Sequence, residues 1–190
     1  MSTNHKKTTA LTECSVMLAL SVVLSFVQIW KMPMGGEVTL LSMLPVCLIS
    51  AKYGLKQGLS TALLFGIFHL FRGIAGGEVF VYCATAFAVV VCVAFDYIVP
   101  FASLGLAGIF RKKGTPGVCA GIVLSVFLRF VCHFITGVVI WAQFAPEGQG
   151  KFIYSLLYNG QYMLPECILT VAGAAILLKI PRIKNILSLH

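Results

Sequence analysis

Charge is scarce in this sequence, and most of it has one sign. Only 11% of the 190 residues are charged, with six acidic residues against 14 lysines and arginines. A typical soluble domain is about 25% charged. Hydrophobic residues make up 59% of the chain, and its mean hydropathy is +0.96. This composition excludes an ordinary water-facing surface and predicts an integral membrane protein, in which about 20 apolar residues form each helical crossing.

Motifs of several function classes are also absent. None of the seven cysteines forms a C-x-x-C pair, which argues against a zinc site or a disulfide framework. No G-x-x-x-x-G-K-[ST] phosphate loop is present, so any ATPase that drives this protein must be another chain. H-E-x-x-H and G-x-S-x-G are missing too. We therefore expect no catalytic residue, no cofactor and no metal; a membrane enzyme or a small assembly protein is the alternative of a different class.

Six apolar segments follow one another along the chain. They cover residues 10–30, 38–52, 57–73, 79–110, 116–143 and 152–180, with a tight turn predicted at 52–58. We expect an all-α integral membrane protein with a bundle of six transmembrane helices over residues 10–180. Residues 1–9 and 181–190 would then be cytoplasmic tails. The first segment is too long for the apolar part of a signal peptide and is interpreted as a spanning helix.

The basic residues predict the orientation of the bundle. If both termini are cytoplasmic, three basic residues lie on the outer side, namely Lys31, Arg72 and Lys151. Ten lie on the inner side, which is the positive-inside pattern. The positive excess is thus an orientation signal, and we expect a lipid bilayer but no nucleic acid as a partner. The inner residues are Lys6, Lys7, Lys52, Lys56, Arg111, Lys112, Lys113, Lys179, Arg182 and Lys184.

Four ionisable residues remain inside the apolar segments. Each is costly in lipid, so each should face the protein interior or water and have a partner. Arg129 and His133 are four residues apart and share a helix face. Arg129 is either a pocket residue or the counter-ion of Asp96 or Glu166. His133 is either a ligand contact or a partner in an interhelical hydrogen bond. The four residues are Asp96, Arg129, His133 and Glu166.

Aromatic residues accompany these charges. On the sixth segment a tyrosine or glutamate recurs every four residues, at Tyr154, Tyr158, Tyr162 and Glu166. Such a polar stripe has no place against lipid and indicates either a pocket lining or a packing seam between helices. Trp141, toward the end of the fifth segment, is either part of a pocket face or an interfacial aromatic residue.

Asp96 and Tyr97, ahead of Pro100, form the strongest candidate for a cation site. Aromatic rings can stack on a flat organic cation, and both the cation–π and the charge interactions grow where water is excluded. A permanent cation needs a fixed anion, for which Asp96 is the first candidate and Glu166 the second. We expect few basic residues at this pocket, which disfavours an anionic substrate such as a phosphate ester.

Small residues lie along one flank of the first segment, among them Ser15 and Ala19. Small residues at four-residue spacing allow helices to approach closely in lipid. The spacing alone predicts contact either with a partner protein or with the neighbouring helix.

Several runs of residues together resemble one protein family. The runs are GGEVTLLSMLP at 35–45, YGLKQG at 53–58 and SLGLAGIF at 103–110, with Asp96-Tyr97, Arg129-Phe130, His133-Phe134, Gly137, Trp141, Tyr154-Ser155 and Asn159-Gly160. In their order and spacing they resemble the thiamine-specific substrate-binding (S) component of bacterial energy-coupling-factor (ECF) transporters, over roughly residues 10–180. The resemblance implies six helices with both ends cytoplasmic, in agreement with the charge pattern.

The resemblance also implies a function and a site. It implies high-affinity thiamine binding at the outer face of the bacterial cell membrane, under the first outer loop, and assembly with a transmembrane coupling protein and two ATPase subunits. The matching docking positions are Ser15, Ala19 and Val23, the last larger than the alanine common in the family. The matching pocket positions are Asp96, Tyr97, His133, Trp141, Tyr154 and Asn159, with Arg129, Tyr158 and Glu166 as further pocket or structural residues.

Two other transport functions remain as alternatives. One is a stand-alone or proton-coupled vitamin carrier in which His133 and Glu166 relay protons. The other is an S component for a different small cationic or neutral vitamin.

Overall fold

A computed structural model of the chain describes residues 3–33, 35–77 and 82–187. The predicted tails at 1–9 and 181–190 lie partly outside the described residues. Residues 79–81 of the fourth apolar segment lie wholly outside them. In chain order the elements are α1 (Thr3–Ser25), β1 (Gln28–Lys31), β2 (Glu37–Thr39), α2 (Leu44–Tyr53), α3 (Leu55–Ala75), α4 (Ala86–Cys92), α5 (Val99–Ser103), α6 (Gly114–Val139), α7 (Lys151–Leu177) and α8 (Pro181–Ile186). A π-helical turn, Val93–Ile98, joins α4 to α5, and short 3-10 turns cover Leu104–Leu106, Arg111–Lys113 and Trp141–Phe144.

Five helical segments in the described ranges are long and apolar enough to cross a membrane. The helical membrane architecture predicted from composition is thereby confirmed. The helix α2 is apolar but has only ten residues, about 15 Å of helix, against a hydrocarbon core of about 30 Å. The second predicted segment, 38–52, is therefore not one full-length helix. The five long segments are His5–Ser25, Leu55–Ala75, Ala86–Leu106, Arg111–Val139 and Lys151–Leu177.

The prediction of an all-α chain is wrong between the first two helices. The helix α1 ends at Ser25, and β1 then pairs antiparallel with β2, with Trp30 opposite Val38. The chain reverses at Gly35 and Gly36, whose φ angles of +85° and +87° favour glycine. An apolar run alone does not separate a helix from a short strand, so the sequence pattern extended the first helix to residue 30.

The turn between α2 and α3 is shorter than predicted. Gly54 alone separates the two helices, and its φ of +88° lies in the left-handed region that glycine adopts at little cost. Lys56 and Gly58, expected in the turn, belong to the beginning of α3.

Charged side chains occupy opposite ends of the bundle. At one end Lys52 of α2 pairs with Glu13 of α1 at 2.5 Å, and Nη1 of Arg111 donates to the Lys52 carbonyl at 2.9 Å. At the other end Arg72 of α3 pairs with Glu37 of β2 at 2.5 Å. The basic residues that the charge pattern assigns to one side of the membrane, Lys52 and Arg111, thus lie together.

Candidate functional site

A cavity of about 120 Å³ lies under the hairpin of β1 and β2, among α3, α6, α7 and the π-helical turn. Its lining is rich in charged and aromatic side chains. All six pocket positions implied by the resemblance line it, together with Arg129 and Tyr158. The lining residues are Lys31, Gly35, Gly36, Glu37, His69, Arg72, Gly73, Asp96, Tyr97, Phe101, Arg129, His133, Thr136, Gly137, Trp141, Tyr154, Tyr158, Asn159 and Tyr162.

The π-helical turn carries Asp96 and Tyr97 into the cavity. Pro100 has no backbone N–H, so the Asp96 carbonyl cannot receive the hydrogen bond that an α-helix would give it. The helix widens here, and Val99 donates to the Ala94 carbonyl five residues earlier. Single π-helical turns are frequent at functional sites. Near Pro100 the helix therefore changes its pitch, and the span continues through it to Leu106.

The Asp96 carboxylate is held by three side chains of α6 and the turn after it. Nδ1 of His133 lies 3.0 Å from Oδ1, and the hydroxyl of Thr136 donates to the same oxygen. The indole nitrogen of Trp141 donates to Oδ2 at 3.0 Å. Trp141 stands in the 3-10 turn beyond Val139, where α6 ends, and not on α6 itself. Sequence reasoning missed Thr136, which lies 40 residues from Asp96 in the chain. Its position only three residues from His133 was the available signal.

Arg129 contacts His133 rather than a carboxylate. Its Nε donates to Nε2 of His133 at 3.3 Å, and its Nη1 lies 3.0 Å from the sulfur of Met43. Among the described residues, neither Asp96 nor Glu166 forms an ion pair with Arg129 within 4.0 Å. The interpretation of Arg129 as their direct counter-ion is therefore wrong. His133 bridges Arg129 and Asp96, and its two ring nitrogens serve as acceptor and donor respectively, as in a neutral imidazole.

The tyrosine stripe of α7 divides between the cavity and the hairpin. Tyr154, Tyr158 and Tyr162 line the cavity, and the Tyr158 hydroxyl donates to the Gly35 carbonyl at 3.0 Å. Glu166 is buried but does not line the cavity. Its Oε1 accepts hydrogen bonds from Thr39 of β2, from the backbone nitrogen at 2.5 Å and from the hydroxyl at 2.7 Å. Glu166 therefore fastens the hairpin to α7.

Asn159 joins α7 to α6 at the cavity wall. Its amide nitrogen donates to the carbonyl oxygens of His133 and Ser155 at 3.1 and 3.0 Å, and its oxygen accepts from the Tyr162 hydroxyl at 2.8 Å. A Cβ at Gly137 would collide with Ser155, so this glycine permits the close approach of the two helices. Asn159 thus holds both His133 and Tyr162 in place.

Three basic side chains line the cavity, namely Lys31, Arg72 and Arg129. The expectation of few basic residues at the pocket is wrong, because Lys31 of the hairpin and Arg72 near the end of α3, assigned by the charge pattern to the outer side, both line the cavity. The argument against a phosphate ester as a substrate rested on that expectation and no longer holds.

The predicted docking residues lie on an uncovered side of α1. Ser15, Ala19 and Val23 are all exposed, Val23 by 61%. Side chains this exposed are not covered by a neighbouring helix of this chain, and contact with a partner protein stays a prediction for these positions.

Among the described residues, no group of three or more histidine, cysteine, aspartate or glutamate side chains could hold a metal ion.

The family described as thiamine transporter protein (Thia_YuaJ) matches residues 11–185 of the chain. The chain belongs to this family. It is 36% identical over 178 residues to the thiamine transporter ThiT of Bacillus subtilis (strain 168), which covers 86% of this chain and 87% of that protein. It is 26% identical over 189 residues to the thiamine transporter ThiT of Lacticaseibacillus paracasei, with 93% and 90% covered.

A solved structure has a similar fold. The structure of ThiT from Listeria monocytogenes superposes with a TM-score of 0.77 at 23% identity, and covers 94% of this chain and 98% of that chain. The family resemblance found in the sequence is thereby confirmed. With five long apolar spans and this family membership, the chain is a multi-pass protein of the bacterial cell membrane, and the relatives it matches are named as transporters.

Proposed function

We propose that this protein captures thiamine at the outer face of the membrane as the S component of an ATP-driven ECF transporter. The observation that carries the proposal is the state of Asp96 in the cavity. Its charge is met by hydrogen-bond donors, and no lysine or arginine nitrogen of the described residues lies within 4.0 Å of it. Because its partners are hydrogen-bond donors instead of a lysine or arginine, the carboxylate is available to pair with a ligand cation.

Thiamine fits the chemistry of this wall. Its thiazolium ring is a flat, permanent cation that cannot enter the cavity by losing a proton. Asp96 supplies the anion, and the rings of Tyr97 and Trp141 supply faces for stacking and cation–π contact. Tyr154 contributes a further aromatic face, and His133 fixes the carboxylate. The relatives named as thiamine transporters support the same ligand.

The topology that we propose has six crossings, with both termini in the cytoplasm and the transmembrane domain over residues 10–180. The second crossing would combine β2, residues 40–43 and α2. Non-helical backbone is tolerated at membrane depth only where protein covers it. Val38 and Thr39 of β2 are 3% and 2% exposed, and Leu40, which is 44% exposed, donates its backbone N–H to the Val27 carbonyl at 3.0 Å.

The exposed face of α1 supports the proposed assembly with a transmembrane coupling protein and two ATPase subunits. Ser15 and Ala19 are small residues four apart, the spacing that favours close helix contact in lipid. No phosphate loop occurs in the sequence, so ATP hydrolysis would belong to the partner subunits.

Tryptophan fluorescence provides a direct test of binding. The chain has two tryptophans, of which Trp141 lines the cavity while Trp30 on β1 is 50% exposed. Thiamine added to the purified protein without ATP should change the fluorescence saturably. The signal should persist in Trp30→Phe and disappear in Trp141→Phe. Absence of a saturable response in Trp30→Phe, together with no heat of binding by calorimetry, would reject the proposal.

The proton-coupled carrier is the second candidate. It requires a path from His133 to Glu166, but within the described residues these side chains share no hydrogen-bond partner. Uptake in cells that lack an ECF coupling module separates the two functions: thiamine uptake that persists there supports the carrier.

A further inference from the structure

His69 of α3 lines the cavity but belongs to none of the contacts described above. It is 8% exposed and lies in a cage of phenylalanine rings. Its ring stacks on Phe101 at 4.3 Å with an interplanar angle of 21°, and meets the edges of Phe65 at 4.6 Å and Phe68 at 5.4 Å. Such a cage fixes the orientation of the imidazole ring.

One polar atom of this fixed ring is not used within the described part of the protein. Nε2 of His69 is buried and has no hydrogen-bond partner there. An enclosed polar atom without a partner is destabilising, whereas a phenylalanine would fill the same aromatic cage without that penalty. Packing alone therefore does not account for a histidine at this position.

His69 lies at the inner end of the cavity. Phe101, on which it stacks, also lies under the guanidinium of Arg129, whose Cζ is 4.1 Å from the ring centroid. Arg129 is ten residues from the outer end of α6 at Val139, which corresponds to a depth of about 15 Å. Trp141 follows that outer end. The cavity thus has Asp96 toward Trp141 and Arg129 with Phe101 at its inner end, whereas Lys31 and the Arg72–Glu37 pair line it on the side of the hairpin.

This charge distribution orients a cationic ligand. Arg129 repels a positive ring from the inner end, whereas Asp96 attracts it toward Trp141. An uncharged polar arm of the ligand is then left for the inner end. For thiamine two arms qualify, the hydroxyethyl group and the aminopyrimidine ring, and both offer a group that can hydrogen bond to an imidazole nitrogen.

We propose that His69 is a ligand-contacting residue, whose ring nitrogen forms a hydrogen bond with an uncharged polar arm of the bound ligand and thereby contributes to specificity. The proposal rests on the proposed function, because it takes thiamine as the ligand. It adds a site residue from α3, which neither the sequence pattern nor the family resemblance selected.

The test compares three ligands in three variants by equilibrium binding to the purified full chain. The ligands are thiamine, an analogue with hydrogen in place of the terminal hydroxyl, and oxythiamine, in which an oxo group replaces the pyrimidine amine. The variants are His69→Phe, His69→Gln and Phe71→Leu. Phe71 is a control because it is on the same helix, is 66% exposed and does not line the cavity.

His69→Phe should weaken thiamine binding by about tenfold or more, the range of one buried hydrogen bond. The weakening should vanish for the one analogue that lacks the contacted group, which identifies the arm. His69→Gln should recover part of the affinity, and Phe71→Leu should leave it unchanged. If His69→Phe does not fold, the binding of the same three ligands to His69→Gln tests the inference. The glutamine amide lies at another angle, but it should still favour the ligand that carries the contacted arm.

Two results would overturn the inference alone: thiamine affinity unchanged in both His69 variants, or the same loss for all three ligands, which indicates disturbed packing. Absence of thiamine binding to the unsubstituted protein would overturn the proposed function, and this inference with it.

Discussion

Trp141 donates its indole N–H to Oδ2 of Asp96 across 3.0 Å, although 45 residues separate them in the chain. The contact joins the turn after α6 to the π-helical turn between α4 and α5. It holds the carboxylate and an aromatic ring in one wall, as a site for a flat cation requires. Because the indole N–H is used by Asp96, Trp141 is left to offer the face of its ring to a ligand.

Loss of the Asp96 charge should weaken thiamine binding severely. Asp96→Asn keeps the size of the side chain, but it replaces one acceptor oxygen by a donor NH2 group and removes the anion that the cation would pair with. Removal of one partner of a buried charge pair costs about 2–5 kcal/mol, so we expect at least a thirtyfold rise in Kd by calorimetry. Glu147→Gln is the matched control, because Glu147 is exposed and does not line the cavity. Equal affinity in Asp96→Asn and the parent protein would exclude Asp96 as the counter-ion.

The contact between Glu166 and Thr39 should control how long the hairpin stays closed over the ligand. Glu166→Leu removes the acceptor of two hydrogen bonds, which costs about 1–3 kcal/mol, and we expect thiamine to dissociate about tenfold faster in stopped-flow measurements. Glu166→Gln keeps an acceptor oxygen at this position and should dissociate at close to the parent rate. Identical dissociation from Glu166→Leu and the parent would show that the hairpin does not depend on this contact.

The pair between Arg72 and Glu37 provides an independent measure of hairpin closure. Both side chains are partly exposed, at 30% and 14%, so we expect a coupling energy of about 1 kcal/mol. A double-mutant cycle with Arg72→Met and Glu37→Gln, read from thermal unfolding of the purified protein, measures it. The coupling should fall as salt is raised, because the pair is partly open to solvent. A coupling energy of zero at low salt would contradict an ion pair between Arg72 and Glu37.

The long helices were predictable from the sequence because apolar length and basic ends are local signals. The predicted segments 57–73, 116–143 and 152–180 overlap α3, α6 and α7 closely. The hairpin was not predictable in this way. Its strands have four and three residues, and the apolar run of β1 continues that of α1 without a break.

The site was predictable in its residues but less so in their contacts. Asp96 and Trp141 were selected because a charge and a large aromatic ring in apolar segments need an explanation. The relation of Arg129 to His133 depends on how α6 faces its neighbours, which spacing along one helix does not determine. A single histidine carries no motif, so the sequence pattern does not select His69, and its role is indicated by the unpaired Nε2 in the folded cage.

A substitution on the exposed face of α1 should separate thiamine binding from thiamine transport. Ala19→Trp places a bulky ring on the face where we propose that the coupling protein docks. We expect it to weaken assembly with the coupling protein about tenfold, as is typical when the centre of an interface is disrupted. Thiamine uptake by cells that carry the coupling module should fall strongly, whereas thiamine affinity of the purified variant should stay unchanged, since Ala19 does not line the cavity. Phe127→Trp on α6 is the matched control, because Phe127 is also exposed, by 57%, and apolar. Full uptake in Ala19→Trp would mean that this face meets only lipid, and an equal fall in Phe127→Trp would mean that bulk at any lipid-facing position impairs uptake.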